Sequence, residues 1–362
     1  MAIIRDKAAS QNPLQDDISP KESSLRPSSS LQKRLQTAQP QKKLTSPISS
    51  TQDNGENHNY GALNYTNIAD YRFGKVLGQG AYAVVKEAQH RSSMHTVAVK
   101  VYDKYKLTDV QRRKGVQREI RLMRRLAQHE NIVQLYDAID TQRQIYLIME
   151  HVEGQCLQQM MKFRHQRRLS SETEAARMFA QIMSAVEAMH LMDVAHRDIK
   201  MENILVEARS GRVKVIDFGF SCLSKERLKV FCGTPSYMSP EIVSKKEYFG
   251  GPADIWACGV LLFTLICGTF PFKSITTEKE LFRKINRGIF TYTLPDVSSE
   301  AKDLIKQMLN VEPSERPNAS MVLQHQWFRS NGCFKNKSCT LMDSSELAEN
   351  TTQEEVEQKT QL

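Results

Sequence analysis

The spacing of apolar residues changes at Gly154, and this change limits the folds open to the chain. Between Tyr71 and Val152, short valine-rich runs such as "HTVAVKVYDK" are separated by polar turns, which is the pattern of antiparallel strands. One segment there, "GVQREIRLMRRLAQ", has helical spacing instead. After Gly154 the apolar runs have helical spacing, and the last one ends near Trp327. We therefore expect an α+β fold with a small sheet lobe, a larger helical lobe and a ligand-binding cleft between them.

The two ends of the chain differ in composition from its middle. Residues 1–70 are rich in Ser, Gln and Pro without apolar periodicity, so we expect them to be disordered. Residues 329–362 are polar and are expected to form a flexible tail. Between them we expect one domain at 71–328, with a small lobe at 71–149, a hinge at 150–153 and a large lobe at 154–328.

Composition argues against several classes of protein. Of the 362 residues 40% are hydrophobic, which is enough for a packed core, and no uninterrupted apolar run is long enough to span a bilayer. The seven cysteines have neither metal-ligand nor disulfide-framework spacing, which favours a reducing location, cytoplasmic or also nuclear. We expect a monomer that does not associate with membranes.

The net charge of +9 is concentrated in the middle of the chain, most densely from Arg112 to Arg125. A basic face attracts acidic partners or nucleic acid. The more frequent origin of such a run is a solvated helix face. We adopt that interpretation and do not expect nucleic acid as a partner.

Two motifs in the first lobe fit phosphate binding. "LGQGAYAVV" places Gly78 and Gly80 between two strands, where a backbone without side chains approaches a phosphate closely. A tight hairpin explains the glycines equally well. "VAVK" then places Lys100 on a strand, where its ammonium could meet phosphate oxygens, although most strand lysines are surface residues.

Two further motifs place oxygen ligands close to one another. "HRDIKMEN" carries Asp198 and Asn203 on one loop, and "VIDFG" adds Asp217 just after a strand. Carboxylate and amide oxygens suit Mg²⁺, which takes its remaining ligands from water and substrate phosphates.

From Tyr71 to Arg329 the sequence resembles the protein kinases, because these four motifs occur in that family's order and spacing. Lys200, two residues after Asp198, together with "GTPSY", resembles the serine/threonine branch. "DFGFS", "FCGTPSYMSPE" and "GGPADIWACGVLLFTLICGTFPF" are similar to the calmodulin-dependent and AMP-activated kinase group, and the compact chain is similar in style to the testis-specific serine kinases. The resemblance implies a bilobal kinase fold that transfers the γ-phosphate of ATP, with Mg²⁺, to serine or threonine hydroxyls of protein substrates.

The resemblance assigns roles to individual residues. Lys100 would hold the α- and β-phosphates, fixed by an ion pair with Glu119, and Asp217 and Asn203 would bind Mg²⁺. The other residues assigned to ATP are Leu77, Gly78, Gln79, Gly80, Ala81, Tyr82, Ala83, Val84 and Val85 of the glycine-rich loop, and Glu150 and Val152 of the hinge, with Met149 behind the adenine.

The resemblance also assigns the residues that act on the protein substrate. Asp198 would orient the hydroxyl and accept its proton, and Lys200 would neutralise charge on the moving phosphoryl group. Thr234 would face both of them, and Glu202 could attract a basic substrate side chain. Glu241 paired with Arg316, and Asp254 bracing the catalytic loop, would have architectural roles.

Three positions depart from the family pattern without removing a catalytic group. Ala83 replaces the third glycine of the loop, and Ser239 replaces the Ala of the Ala-Pro-Glu triplet; we expect both changes to be mild. Cys156 stands where many kinases of basic substrates carry a carboxylate, which weakens an assignment of arginine-directed preference.

A fourth departure is Val230, which stands immediately before "FCG", where relatives carry a phosphorylatable threonine. We therefore hypothesise activity without phosphorylation at this position. Two alternatives for ordering the loop are a carboxylate from Glu226, in place of the missing negative charge beside Arg197, and apolar packing of Val230 and Phe231. Regulation at Ser221, at Ser224 or by a partner protein is the alternative.

A pseudokinase that only binds partners is the alternative function. Such proteins usually lack the strand lysine, the catalytic aspartate or the metal-binding aspartate. Lys100, Asp198, Asn203 and Asp217 are all present here, which favours catalysis.

Overall fold

The computed structural model describes residues 67–333, apart from Ala127, Glu226, 274–276, Thr293 and Pro295. The expectations of a disordered first segment and a flexible tail concern residues that lie almost entirely outside this part of the chain. The described part has the α+β, two-lobed architecture that the sequence predicts.

A five-stranded antiparallel sheet forms the small lobe, with strand order β1-β2-β3-β5-β4. Its strands are β1 (Tyr71–Gln79), β2 (Ala83–His90), β3 (Thr96–Asp103), β4 (Leu135–Asp140) and β5 (Gln144–Glu150). Because side chains alternate along a strand, Val97 and Val99 of β3 enter a small core on one face. Ala98 and Lys100 therefore lie on the opposite face, where they line the cleft.

The fourth strand is shorter than the apolar run "NIVQLYDAID" predicts. It begins at Leu135, because the residues before it bond to the large lobe instead of to the sheet. Ile132 bridges Val215, and the N–H of Val133 donates to the carbonyl of Val215 across 3.0 Å. This segment therefore ties the two lobes together.

Helix α1 (Val110–Arg125) packs on the sheet with its apolar face. Asp109 caps its N-terminus by accepting from the N–H of Gln111, and Val116, Ile120 and Met123 are buried, as the helical spacing predicts. Glu119 is buried on the same face, whereas most of the arginines of this helix are exposed.

The large lobe is built around helix α5, most of whose side chains are buried. Its helices are α2 (Leu157–Lys162), α3 (Glu172–Leu191), α4 (Pro240–Val243), α5 (Gly250–Cys267), α6 (Glu278–Arg287), α7 (Ser299–Met308), α8 (Ala319–Leu323) and α9 (Gln326–Ser330). Among the described residues α5 is the one helix long and apolar enough to cross a membrane, but 89% of it is buried, as in the central helix of a globular lobe.

Five very short strands position the loops at the cleft. They are β6 (Gly154–Cys156), β7 (Val194–Ala195), β8 (Ile204–Glu207), β9 (Val213–Val215) and β10 (Cys222–Leu223). Strands β8 and β9 pair with Ile204 opposite Val215, so the residues just outside the hairpin, Asn203 and Asp217, lie close to each other. Strands of two to four residues carry too little periodicity for the sequence to predict them.

Candidate active site

The Lys100 amine forms ion pairs with one carboxylate in each lobe. Its amine lies 2.7 Å from a carboxylate oxygen of Glu119 on α1 and 2.8 Å from Oδ1 of Asp217 in the large lobe. Burial alone would lower the pKa of this amine, but the carboxylates of Glu119 and Asp217 raise the pKa of Lys100 well above its usual value. The amine therefore remains charged, as the predicted pair with Glu119 requires.

Asp217 is held as a carboxylate at the edge of the cleft. Burial acts to raise its pKa, but Lys100 and the backbone N–H of Gly219 outweigh this effect and lower the pKa of Asp217 to about 2. Its φ of 65° lies in the left-handed region, which is uncommon for a residue other than glycine. This turn directs an ionised oxygen ligand into the cleft.

Asp198, Lys200 and Thr234 form a hydrogen-bonded group, as the resemblance implies. The Lys200 amine lies 2.8 Å from Asp198 Oδ2 and donates to the Thr234 hydroxyl across 2.9 Å. The Thr234 hydroxyl in turn donates to Asp198 Oδ1 across 3.0 Å. Both oxygens of the Asp198 carboxylate are thus fixed in direction.

Asn203 completes the catalytic loop. Its amide nitrogen donates to the carbonyl of Asp198 across 2.9 Å and to the carboxylate of Asp198 across 3.0 Å. Because the nitrogen makes both bonds, the amide oxygen is the atom left for a metal ion.

Asp254, on α5, braces this loop from below. Its two carboxylate oxygens accept from the backbone N–H groups of His196 and Arg197, each across 2.8 Å. Arg197 has a φ of 66°, so these bonds hold a backbone turn that is unfavourable for a residue with a Cβ. The Arg316 guanidinium binds both carboxylate oxygens of Glu241 across 2.7 Å, and both partners are buried.

The glycine-rich loop leaves open space above the cleft. A Cβ added to Gly78 would meet nothing within 4 Å, and one added to Gly80 would meet only the carbonyl oxygen of Ala83, at 3.7 Å. Both glycines have φ values outside the left-handed region. At these two positions the backbone is therefore free of side chains, as close approach of a phosphate would require.

The predicted nucleotide residues separate into two groups. The cleft, of about 1600 Å³, is lined by Leu77, Gly78, Gln79, Gly80, Ala83, Val85, Lys100, Glu119, Glu150 and Val152, and also by Met149, Glu202, Asn203 and Asp217. Ala81, Tyr82 and Val84 lie outside this wall. The guanidinium of Arg112 covers the Tyr82 ring at 4.5 Å from its centroid, and Val84 points to the other face of β2 because side chains alternate there.

Two cleft contacts were not predicted. The amine of Lys214 on β9 lies 2.8 Å from Glu150, so an ion pair joins the start of the hinge to the large lobe. The Tyr102 hydroxyl donates to Glu119 across 2.5 Å, which adds a second partner to the buried carboxylate. Neither pairing has a sequence signal, since the first joins residues 64 positions apart and tyrosine on a strand is ordinarily a packing residue.

Glu202 and Cys156 both line the cleft near its lower end. Gln158 donates to one oxygen of Glu202 across 2.7 Å, and the other oxygen is buried without a hydrogen-bond partner in the described part of the chain. Cys156 precedes α2 as its N-cap but makes no capping hydrogen bond through its side chain.

The activation segment is held partly by contacts that the sequence did not predict. The expected apolar packing involved Val230 and Phe231, and for Val230 it is wrong, because the side chain of this residue is 58% exposed. Its carbonyl instead accepts from the Tyr248 hydroxyl across 3.0 Å, and that hydroxyl accepts from Arg197 across 3.4 Å. Phe231 contacts the ring of Phe282 at a centroid distance of 6.1 Å.

The other predicted regulatory positions have different outcomes. Ser221 is fully buried and its hydroxyl donates to the carbonyl of His196, so it is not presented for modification in this conformation. Ser224 is partly exposed. Glu226 lies outside the described residues.

The site has the groups that a magnesium nucleotide requires. It offers a carboxylate of low pKa at Asp217 and a free amide oxygen at Asn203, both of them hard oxygen ligands of the kind Mg²⁺ prefers. It also offers a charged amine at Lys100 and, at Gly78 and Gly80, backbone without side chains for phosphates. The residues present therefore fit this cofactor.

Comparison with known proteins agrees with this geometry. Residues 71–328 match the protein kinase domain. The chain is 39% identical over 267 residues to the SNF1-related protein kinase catalytic subunit alpha KIN12 of Arabidopsis thaliana, a match that covers 73% of this chain and 52% of that protein. It is 38% identical over 265 residues to the serine/threonine protein kinase OSK3 of Oryza sativa, covering 72% of this chain and 51% of the relative.

A third relative is the CBL-interacting serine/threonine-protein kinase 15 of Arabidopsis thaliana, which is 38% identical over 265 residues, or 72% of this chain and 61% of the relative. The chain thus spans about half the length of the first two relatives. It belongs to the protein kinase family, and within it to the serine/threonine kinases of the AMP-activated and calmodulin-dependent type.

Proposed function

We propose that this chain catalyses transfer of the γ-phosphate of ATP to serine or threonine hydroxyls of protein substrates. The observation that carries the proposal is the position of the Lys100 amine, which lies within 2.8 Å of both Glu119 and Asp217. A lysine fixed in this way presents a charged amine to phosphate oxygens, and the carboxylate beside it is ionised. Phosphoryl transfer depends mainly on such positioning and charge stabilisation.

Asp198 would act on the incoming hydroxyl. One of its carboxylate oxygens would accept the proton of the substrate hydroxyl as the oxygen attacks the γ-phosphorus, and the other remains bonded to Lys200 and Asn203. The Lys200 amine would stabilise the negative charge on the transferred group. The hydrogen bonds of Thr234 to Lys200 and Asp198 would hold both side chains in this orientation.

Asp217 and Asn203 would hold Mg²⁺ through the carboxylate and the amide oxygen. The ion, when bound, neutralises charge on the phosphates. Lys100 and the backbone of the glycine-rich loop would orient the nucleotide, and Glu150 to Val152 would receive the adenine edge beside Met149.

We further propose that the kinase is active without phosphorylation of the activation segment at position 230. The support is a chain of contacts to neutral oxygens: Arg197 donates to the carbonyl of Phe220 and to the Tyr248 hydroxyl, and Tyr248 donates to the carbonyl of Val230. Arg197 thus has partners without a phosphate. The alternative, control by a regulatory protein or at Ser224, predicts an inactive purified enzyme.

The experiment uses protein produced in bacteria and treated with phosphatase. Phosphate incorporation from labelled ATP into a Ser/Thr peptide library should persist after that treatment, and loss of incorporation would reject phosphate-independent activity. Asp198→Asn should abolish incorporation while Asp303→Asn, at an exposed position on α7, should not. Equal activity of Asp198→Asn and wild type would indicate a contaminating kinase and leave the pseudokinase alternative standing.

We also propose a substrate class and a location. Glu202 lines the cleft, and its negative charge favours a substrate with a basic side chain near the phosphorylated residue. A cytoplasmic or nuclear location is proposed on composition alone.

A further inference from the structure

A loop of unusual charge connects α2 to α3. Residues 162–168, "KFRHQRR", include four Lys/Arg and one His without an acidic residue. Lys162, His165 and Arg167 are exposed, and the ring of Phe163 is 86% exposed among them. Cations surrounding an exposed aromatic ring form a surface that fits an acidic partner with some apolar residues. We call residues 162–168 the basic loop.

The backbone of the basic loop is fixed. Gln166 and Arg167 have φ values of 52° and 55°, two consecutive left-handed residues that are not glycine. Such conformations persist only where the surroundings enforce them. Here a Cβ on Gly268 would lie 2.1 Å from the carbonyl oxygen of Gln166, so that carbonyl packs directly on the end of α5, and the N–H of Leu169 donates to Leu265 across 2.9 Å.

The described chain ends beside this loop. The side chain of Asn331, just after α9, is hydrogen-bonded to Thr173 in the first turn of α3 across 3.1 Å. In the same turn, Glu174 lies 2.7 Å from Arg164 of the basic loop. Arg177 is exposed one turn further along α3 and acts on Cys333, where burial raises the pKa of the thiol and the guanidinium opposes that effect. The guanidinium groups of Arg177 and Arg164 therefore lie between Cys333 and the rest of the basic loop.

The sequence from residue 343 onwards has the opposite charge. Residues 343–357, "DSSELAENTTQEEVE", contain six carboxylates and no lysine or arginine. Nine residues, 334–342, separate this acidic segment from Cys333, and nine residues reach at most about 30 Å when extended. The first turn of α3 separates the end of the described chain from the basic loop, and this turn is much shorter than about 30 Å. The acidic segment can therefore reach the basic loop of its own chain.

We propose that the basic loop, together with Arg177, is the docking surface for the acidic segment 343–357 of the same chain. The charges are complementary, and tethering gives the segment a high effective concentration at the loop even if each ion pair is weak. Leu347 and Val356 supply apolar side chains of the kind that Phe163 would contact. The proposal does not depend on catalysis.

Zero-length carbodiimide cross-linking of the intact chain tests the contact directly. Lys162 carries the one amine of the basic loop, so we expect an amide between Lys162 and a carboxylate of 343–357, identified by peptide mass spectrometry. The cross-link should disappear in 1 M NaCl, where the Debye length falls to about 3 Å. A mixture of isotope-labelled and unlabelled chains should give cross-links within chains; cross-links between chains would overturn the proposal in favour of a second copy.

Hydrogen exchange on the full chain provides a second measurement. We expect amides of 343–357 to exchange at least about fivefold more slowly in the wild type than in the double variant Lys162→Glu/Arg167→Glu. The matched control, Arg121→Glu/Arg124→Glu, reverses two exposed charges on α1 and should keep the wild-type exchange. Two results would refute docking at this loop. One is that amides of 343–357 exchange at the unprotected rate in the wild type. The other is that the basic-loop variant and the α1 control variant exchange these amides equally slowly.

Discussion

The Lys100 amine in the small lobe lies 2.8 Å from Oδ1 of Asp217 in the large lobe. The lysine side chain is 12% exposed and that of the aspartate 41%, so this ion pair lies at the border between the lobe interior and the cleft. Glu119 shares the same amine from the other side. The contact therefore aligns helix α1, strand β3 and the start of the activation segment with one another.

The stability that Asp217 contributes should depend on pH. Its pKa is lowered to about 2 in the folded chain from an ordinary 3.8, so the contribution is present above pH 3.8 and is lost as the pH falls through about 2. Asp217→Asn should lower the free energy of unfolding by about 1 kcal/mol at pH 7, allowing for solvent screening of the exposed part of the carboxylate. Urea denaturation across this pH range should show the difference narrowing on acidification, and a widening difference would contradict the assigned ion pair.

The Thr234 hydroxyl should influence turnover more than nucleotide binding. Thr234→Val removes the bonds to Asp198 and Lys200 but leaves the cleft wall intact. We expect kcat to fall about 10- to 100-fold, as when a positioned hydrogen-bonding group is lost, with KM for ATP nearly unchanged. Thr234→Ser keeps the hydroxyl and should restore most of the rate. A loss confined to KM for ATP would argue against this positioning role.

Tyr248 should stabilise the activation segment through its hydroxyl. Tyr248→Phe removes the bridge between Arg197 and the carbonyl of Val230 and should reduce stability by about 1 kcal/mol and activity several-fold. Val230→Ala is the matched control, because the contact uses the backbone carbonyl and the side chain is mostly exposed. If Val230→Ala lowered activity as much as Tyr248→Phe, the valine side chain would be the ordering group after all.

The Arg316–Glu241 pair should be important for the stability of the large lobe. Both side chains are buried, and Arg316→Gln would leave the Glu241 carboxylate without its cation, at an expected loss of about 3–5 kcal/mol. Arg283→Gln removes an exposed partner of Glu280 on α6 and should change stability by less than about 0.5 kcal/mol. The denaturant midpoints of the two variants measure this difference. Similar losses of stability in both variants would contradict a stabilising role for the Arg316–Glu241 pair.

Sequence patterns predicted the parts of the fold whose signals are long or periodic. The alternation in β3 and the helical spacing in α1 predicted a strand carrying Lys100 and a helix carrying Glu119, and the structure brings those two residues to 2.7 Å. The motifs "HRDIKMEN" and "VIDFG" likewise predicted Asn203 and Asp217, which both line the cleft.

Contacts between distant residues without a motif could not be predicted. The Tyr248 hydroxyl holds the segment at Val230 by donating to the backbone carbonyl of that residue, and no side-chain pattern encodes such a contact. The Lys214–Glu150 pair depends on the register of β8 with β9, and those strands are too short to be detected in advance. The burial of Ser221 is also a tertiary property, since nothing in its local sequence distinguishes it from Ser224.

The most direct test of the account is calorimetric titration of the intact chain with a non-hydrolysable ATP analogue, with and without Mg²⁺. We predict a dissociation constant below about 1 mM, which corresponds to a binding free energy more favourable than about −4 kcal/mol. We also predict a strong dependence on Mg²⁺ in the wild type that Asp217→Asn abolishes. Failure of the wild-type chain to bind the analogue with Mg²⁺ at millimolar concentration, or binding that Asp217→Asn leaves unchanged, would contradict the proposed site.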